Sequence, residues 1–197
     1  MRRRPFARTM RSACGAIGVL ALLCTGIAVA EEPLKLYGLT IPDRVAGLPR
    51  QAPVDYETKN PGLGHSVQFL RPGWRIDVYI YDARQTAIAD DPRSAAVKGQ
   101  LEEARRNIFQ MQQRGDYSDV EVRSDYAIER NGMTRFICSA LTYHHNRAND
   151  DVDSYACVSA WNNKFIKIRM TTSRRAATAA ESRKFVEAWA DLLWPSI

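Results

Sequence analysis

The sequence contains few of the side chains that most often carry catalysis or bind metals. Only three His and four Cys occur among its 197 residues, and no Cys-x-x-Cys or His-x-x-x-His spacing is present. These absences disfavour a structural zinc site, which needs four ligands at short spacings. The Gly-x-Ser-x-Gly turn of serine hydrolases is absent, and Gly62-Leu63-Gly64 lacks the third Gly of a phosphate-binding loop. The sequence therefore predicts a protein that is not an enzyme and has no cofactor.

An excess of charge of one sign is also missing once the position of the charges is considered. The formal net charge of +6 comes from 28 Lys and Arg against 22 Asp and Glu. Five of the Arg lie in residues 1–30, where no acidic residue occurs, so the rest of the chain has a net charge of +1. A nearly neutral chain has no long-range attraction to polyanions, and we expect no nucleic-acid partner. The proportions of 45% hydrophobic and 25% charged residues are typical of a globular protein.

The first 30 residues have the pattern of a secretory signal peptide. Residues 1–11 are basic, residues 12–30 carry no charge, and the apolar stretch closes on Ala28-Val29-Ala30. Small residues at this spacing suit signal peptidase, so we expect cleavage after Ala30 and a single mature domain over residues 31–197. A retained transmembrane anchor is the alternative. The Arg-rich start indicates bacterial export to the periplasm, by the general or the twin-arginine route, and we expect no transmembrane span after cleavage.

Cleavage leaves two cysteines in the mature chain, because Cys14 and Cys24 lie in the signal peptide. In an oxidising compartment the remaining pair, Cys138 and Cys157, is expected to form a disulfide. Two buried free thiols and a metal-binding pair are the alternatives. The disulfide would join opposed residues on neighbouring strands and close a loop of about 20 residues, a constraint of roughly 3 kcal/mol.

The alternation of apolar and polar residues predicts an antiparallel sheet. Residues 31–50 are expected to be irregular, residues 50–57 to form the first strand, and residues 74–81 a strand with one buried face. Asn131-Gly132 is a strong signal for a two-residue hairpin turn, and it predicts that Tyr126 pairs with Ile137. With that pairing, Tyr126 lies on the same face of the sheet as Ile137. Asn162-Asn163 predicts a second two-residue turn, which would pair Trp161 with Lys164.

Two helices are predicted beside the strands. The first is expected to start with Asp91 as N-cap and Pro92 as its first residue, and to stop at Gly115. The second is expected to start at the capping box formed by Thr178 and Glu181. We therefore predict an α+β fold in which an antiparallel sheet of about six to seven strands carries two helices, one on each face.

Three segments carry a resemblance to known proteins: Asp55-Tyr56-Glu57, Pro61-Gly62-Leu63-Gly64-His65-Ser66-Val67 and Asp77-Val78-Tyr79-Ile80-Tyr81-Asp82. They resemble uncharacterised exported proteins of proteobacteria, and the order of strands and helices resembles the PsbP-like and DcrB-like α/β/α sandwiches. The resemblance to the exported proteins transfers no active-site residue. The resemblance to the PsbP-like architecture implies a non-enzymatic accessory or binding role.

Two candidate sites remain. The hairpin tip over residues 144–153 offers possible metal ligands, but the expected interpretation is a solvated tip without metal, because one tip gives its ligands little support. Tyr79 and Tyr81 lie opposite the apolar face of their strand, and they are a candidate partner-binding surface unless a helix covers them. The possible metal ligands are His144, His145, Asp150, Asp151 and Asp153.

These observations favour a non-catalytic periplasmic protein that binds a partner protein or a small ligand. One alternative is a structural accessory of the cell envelope. A metal-dependent hydrolase with an unrecognised site is the other alternative, and clustered ionisable groups with shifted pKa values would favour it.

Overall fold

A computed structural model describes residues 32–174 and 176–195. The expected signal peptide, with cleavage after Ala30, lies outside these residues. None of the described helices has the length and apolar character needed to cross a membrane. In chain order the elements are β1 (Leu34–Leu36), β2 (Leu39–Ile41), β3 (Arg44–Val45), β4 (Leu48–Pro49), β5 (Val54–Asp55), β6 (His65–Arg71), β7 (Trp74–Tyr81), α1 (Ala95–Gln113), β8 (Tyr117–Arg130), β9 (Met133–His145), β10 (Asp150–Trp161), β11 (Lys164–Ser173) and α2 (Ala179–Leu193).

The largest sheet has seven antiparallel strands in the order β5-β6-β7-β11-β10-β9-β8. Helix α1 packs on one face through an apolar stripe that includes Val97 and Leu101, and Ala156 and Val158 of β10 lie in the same cluster. Helix α2 packs on the other face, where Phe69 contacts Phe185 with ring centroids 5.2 Å apart. The predicted α+β class, with one helix on each face of an antiparallel sheet, is confirmed.

The two predicted hairpin turns are present. Arg130 lies opposite Met133 across Asn131-Gly132, and Trp161 lies opposite Lys164 across Asn162-Asn163. All four turn residues have positive φ, which is the requirement of a type I′ turn and a conformation that Asn and Gly tolerate. Both turns are therefore explained by local backbone chemistry.

The predicted pairing of Tyr126 with Ile137 is wrong, because β8 and β9 change register near their hairpin. Ile128 lies opposite Phe136 while Glu129 lies opposite Thr134, so that Arg135 is an extra residue in β9. This β-bulge moves Tyr126 opposite Cys138. One residue of slip exchanges the two faces of a strand, so Tyr126 lies on the α2 face and not on the face of Ile137.

The start of α1 also differs from the prediction. The helix begins at Ala95, and the Oγ of Ser94 accepts a hydrogen bond from the backbone N–H of Val97. Asp91 instead accepts the N–H of Arg93 at 2.8 Å and closes a turn that precedes the helix. Both residues have capping side chains, and the turn at residues 91–94 uses the first of them.

Residues 34–49 form two hairpins, although this segment was expected to be irregular. The strand predicted over residues 50–57 is shorter than expected, because β5 covers only Val54–Asp55. Strands β1 and β2 form one hairpin and β3 and β4 another, across Tyr37-Gly38 and Ala46-Gly47. Both turns have positive φ at their two central residues, as in type I′ turns. The apolar residues of these hairpins join the core under α2, and that burial stabilises strands too short to persist alone.

The disulfide between Cys138 and Cys157 is present, with an S–S distance of 2.08 Å. The two residues lie directly opposite each other on β9 and β10, as expected. Both are almost fully buried in the core on the α2 face, so a reductant in solution has no direct access to the sulfur atoms. The bridge is therefore part of the core.

Candidate functional site

A cleft of about 270 Å³ opens beside α1, at one end of β7. We call it the α1 cleft. Its walls come from the loop before β6, from β7 and the residue pair that follows it, from α1 and from β11. Its lining residues are Tyr56, Leu63, Tyr79, Tyr81, Ala83, Gln100, Glu103 and Lys167.

The floor of the α1 cleft is built from two aromatic rings and one ammonium group. Lys167 lies opposite Tyr79 in the pairing of β11 with β7. Its Nζ is 5.1 Å from the ring centroid of Tyr79 and 4.9 Å from that of Tyr81. At these distances the cation is attracted to the electron-rich faces of the rings.

Helix α1 holds one of these rings in place. The hydroxyl of Tyr81 donates a hydrogen bond to the side-chain oxygen of Gln100 at 2.5 Å, and only 7% of Tyr81 is exposed. Tyr79 is half-buried and lines the cleft. The expected exposed surface formed by Tyr79 and Tyr81 is thus a recessed one, because α1 covers Tyr81 and leaves the neighbouring ring open.

The outer wall is a loop held by one carboxylate. Glu57 accepts the backbone N–H groups of Gly62 at 3.0 Å and Gly64 at 2.8 Å, which fixes the turn that carries Leu63 to the cleft. Gly64 has a φ of +60°, and a Cβ atom there would lie 1.9 Å from the carbonyl oxygen of Ile80. The loop can approach the end of β7 this closely only because the residue is Gly.

Burial shifts the pKa values of three side chains that line the α1 cleft. Loss of water around the ammonium lowers the pKa of Lys167, with a smaller opposing effect from Glu103. Burial raises the pKa values of Tyr79 and Tyr81. The phenols therefore stay neutral near pH 7 and serve as hydrogen-bonding and stacking groups. The arrangement combines stacking surfaces, one amide and one cation, which suits binding of a small molecule.

The five possible metal ligands of the hairpin tip do not converge. His144 contacts Asp151 with a nitrogen–oxygen distance of 3.0 Å, whereas His145 lies on the opposite face of the strand, beside the ring of Tyr117. Asp151 and Asp153 both contact Arg174, at 3.3 and 3.4 Å, and Asp150 accepts a hydrogen bond from Ser173. Within residues 32–174 and 176–195, no three His, Cys, Asp or Glu side chains are grouped to hold a metal.

We expect that replacing His144 and His145 by Ala changes the melting temperature by no more than a few degrees. The contact between His144 and Asp151 is exposed, and exposed ion pairs contribute about 1 kcal/mol or less. We also expect zinc or calcium to leave the melting temperature of the unchanged protein almost the same. A metal at 100 times its Kd adds about 2.7 kcal/mol, or on the order of 10 °C. A shift of that size, lost in the double variant, would contradict the prediction.

Sequence reasoning missed Lys167, Gln100 and Glu103 as members of one site. Alternation along β11 does place Lys167 on a charged stretch of its face. No turn connects β11 to β7, however, and the two strands are about 80 residues apart in the chain. No local pattern therefore indicates that Lys167 lies beside Tyr79.

Comparison with known proteins gives weak structural similarity. No family model and no curated protein matches the chain. The solution structure of cyanobacterial PsbP (CyanoP) from Synechocystis sp. PCC 6803 matches with 14% identity and a TM-score of 0.45, over 86% of this chain and 93% of that chain. A protein of unknown function from Pseudomonas aeruginosa, PA94, described as a putative regulator, matches with 12% identity and a TM-score of 0.33. That match covers 84% of this chain and 94% of the other. The chain is thus similar to cyanobacterial PsbP at low identity, and no functional residue is transferred from it.

Proposed function

We propose that this protein is an exported, non-catalytic binding protein that holds a small ligand in the α1 cleft. The observation that carries the proposal is the composition of that cleft, in which tyrosine rings surround a half-buried ammonium group. Small-molecule sites are typically concave and mostly apolar, with a few polar groups that orient the ligand. The α1 cleft has this composition, and its volume of about 270 Å³ lies just below the usual range of about 300–1,000 Å³.

Export is the second part of the proposal. The basic start, the uncharged stretch and Ala28-Val29-Ala30 support cleavage after Ala30 and a periplasmic location. The resemblance of three segments to exported proteins of proteobacteria also supports it. Protein recovered from the periplasmic fraction should begin at Glu31, and an intact N-terminus in the cytoplasmic fraction would contradict export.

The binding function predicts that a small molecule stabilises the protein through the α1 cleft. Purified protein is screened against a library of small organic acids, amines and neutral compounds, first by thermal unfolding and then by native mass spectrometry. A ligand present at 100 times its Kd adds about 2.7 kcal/mol, which raises the melting temperature by roughly 5–10 °C. The mass of the complex identifies the bound compound.

A pair of variants on α1 connects such binding to the cleft. Glu103→Trp places a large ring at the mouth of the cleft, and we expect it to abolish the ligand-induced shift. Glu102→Trp is the matched control, because the neighbouring exposed residue does not line the cleft. No stabilising compound, or a shift that Glu103→Trp leaves intact, would overturn the proposal.

A further inference from the structure

We propose that the α1 cleft is specific for a small molecule that carries an anionic group on a flat apolar body, and that Lys167 contacts the anionic group. The inference rests on the proposed binding function and names the chemical class of its ligand. It is carried by the contacts of Lys167, by the charges beside it and by the shape of the cleft.

Within the described part of the chain, no carboxylate makes an ion pair or hydrogen bond with Lys167, and Glu103 of the same cleft attracts its ammonium group only from a longer distance. The ammonium group instead lies near the faces of the Tyr79 and Tyr81 rings. Removing a cation from water is unfavourable unless a partner compensates for the lost hydration. The rings offset part of that cost, and an anionic group of a ligand would supply the partner that the protein does not.

A second cation lies two residues further along the same strand. Arg169 shares the sheet face of Lys167, and its Nε atom is buried without a hydrogen-bond partner in the residues described. The nearest opposed carboxylate, Asp77, is already used, because it accepts hydrogen bonds from Gln68 at 2.8 Å and from Arg75 at 2.7 Å. Arg169 does not line the α1 cleft, but its positive charge lies two residues from Lys167 on the same face of the sheet and favours a negative charge beside Lys167.

The apolar part of the ligand is indicated by the other walls. Tyr79 and Tyr81 present ring surfaces, and Leu63, which is 52% exposed, overhangs them from the loop. Aromatic faces favour stacking with flat groups. Glu103 is exposed on α1 and also lines the cleft, so it repels an anionic group from its own side and favours a position beside Lys167.

The test compares two probes of nearly equal shape, 3-phenylpropionate and its neutral amide, 3-phenylpropanamide. Each is titrated into isotope-labelled protein, and binding is followed by the NMR shifts of backbone amides. We expect the shifts to be centred on residues that line the α1 cleft. The acid is expected to bind about tenfold more tightly than the amide, the usual gain from a hydrogen bond to a charged group.

Three variants assign the selectivity to Lys167. Lys167→Met should weaken binding of the acid about tenfold and leave binding of the amide unchanged. Lys184→Met is the matched control, because Lys184 is exposed on α2, on the other face of the sheet. Glu103→Gln removes a negative charge near the ammonium, so the acid should bind more tightly while the amide does not change. This last variant keeps the test decisive even if Lys167→Met fails to fold.

Equal affinity for acid and amide, or selectivity that persists in Lys167→Met, would overturn the ligand class and leave the proposed binding function standing. Absence of cleft shifts with both probes would also overturn the ligand class. The compound library then decides separately on the binding function, so the two failures are distinguishable.

Discussion

Gly64→Ala is expected to destabilise the protein by roughly 2–5 kcal/mol and to abolish ligand binding in the α1 cleft. The φ of +60° at this position is unfavourable for any residue with a Cβ, at about 1–2 kcal/mol. The added methyl group would also lie 1.9 Å from the carbonyl oxygen of Ile80, near the end of β7, which is paired on both sides and cannot move freely. The loop must therefore shift away from β7 and take Leu63 and Tyr56 with it.

Thermal unfolding and the probe titration measure the two effects separately. The loss of stability corresponds to a fall in melting temperature of roughly 4–20 °C for a domain of this size. Gly132→Ala is the matched control, because Gly132 also has positive φ but nothing lies within 4 Å of the added Cβ. Gly132→Ala should lose only the about 1–2 kcal/mol of stability that positive φ costs a residue with a Cβ, and it should bind the probe like the unchanged protein. Equal destabilisation by the two variants would show that the close approach of the loop to β7 does not matter.

Removal of the disulfide is expected to cost roughly 3 kcal/mol of folding free energy, or roughly 6–12 °C in melting temperature. The Cys138–Cys157 bridge spans 19 residues of sequence and restricts the unfolded chain. Both sulfur atoms are buried, so we expect dithiothreitol to reduce the bridge only after denaturant has opened the fold. Denaturant melts of the unchanged and variant proteins give the difference in free energy.

Single and double Cys→Ala variants show whether the two residues act as one bridge. Cys138→Ala alone breaks the disulfide, so it should lose nearly as much stability as Cys138→Ala combined with Cys157→Ala. The two single effects should therefore be far from additive. Additive losses, or two free thiols in protein purified from the periplasm, would contradict the presence of the bridge in the cell.

Local sequence patterns predicted the structure correctly where the interaction that stabilises it involves residues close together in the chain. The turns at Asn131-Gly132 and Asn162-Asn163 depend on residues that tolerate positive φ, and the capping box of α2 depends on Thr178 and Glu181 alone. The disulfide between Cys138 and Cys157 was expected from the two cysteines that remain after cleavage, and the two residues lie opposite each other on β9 and β10. Together these features predicted the α+β class and the helix on each face.

The predictions from sequence were wrong where the local sequence allows two conformations and only packing in the folded protein favours one of them. Asp91 and Ser94 both have capping side chains, and only the folded chain shows that the first closes a turn while the second caps α1. The bulge at Arg135 leaves the turn unchanged and moves Tyr126 to the other face, where the core under α2 buries it in part. The hairpins β1–β2 and β3–β4 are likewise stabilised by burial in that core.

The α1 cleft could be identified almost entirely from the tertiary structure and hardly at all from the sequence. Sequence reasoning had selected Tyr79 and Tyr81 from the polar face of their strand, and three segments beside the cleft had suggested a resemblance to exported proteins. Lys167 joins these residues only because β11 pairs with β7, a contact between distant parts of the chain that no turn or periodicity specifies. Such a pairing is decided by the burial of the whole sheet between two helices, and the site therefore exists only in the folded protein.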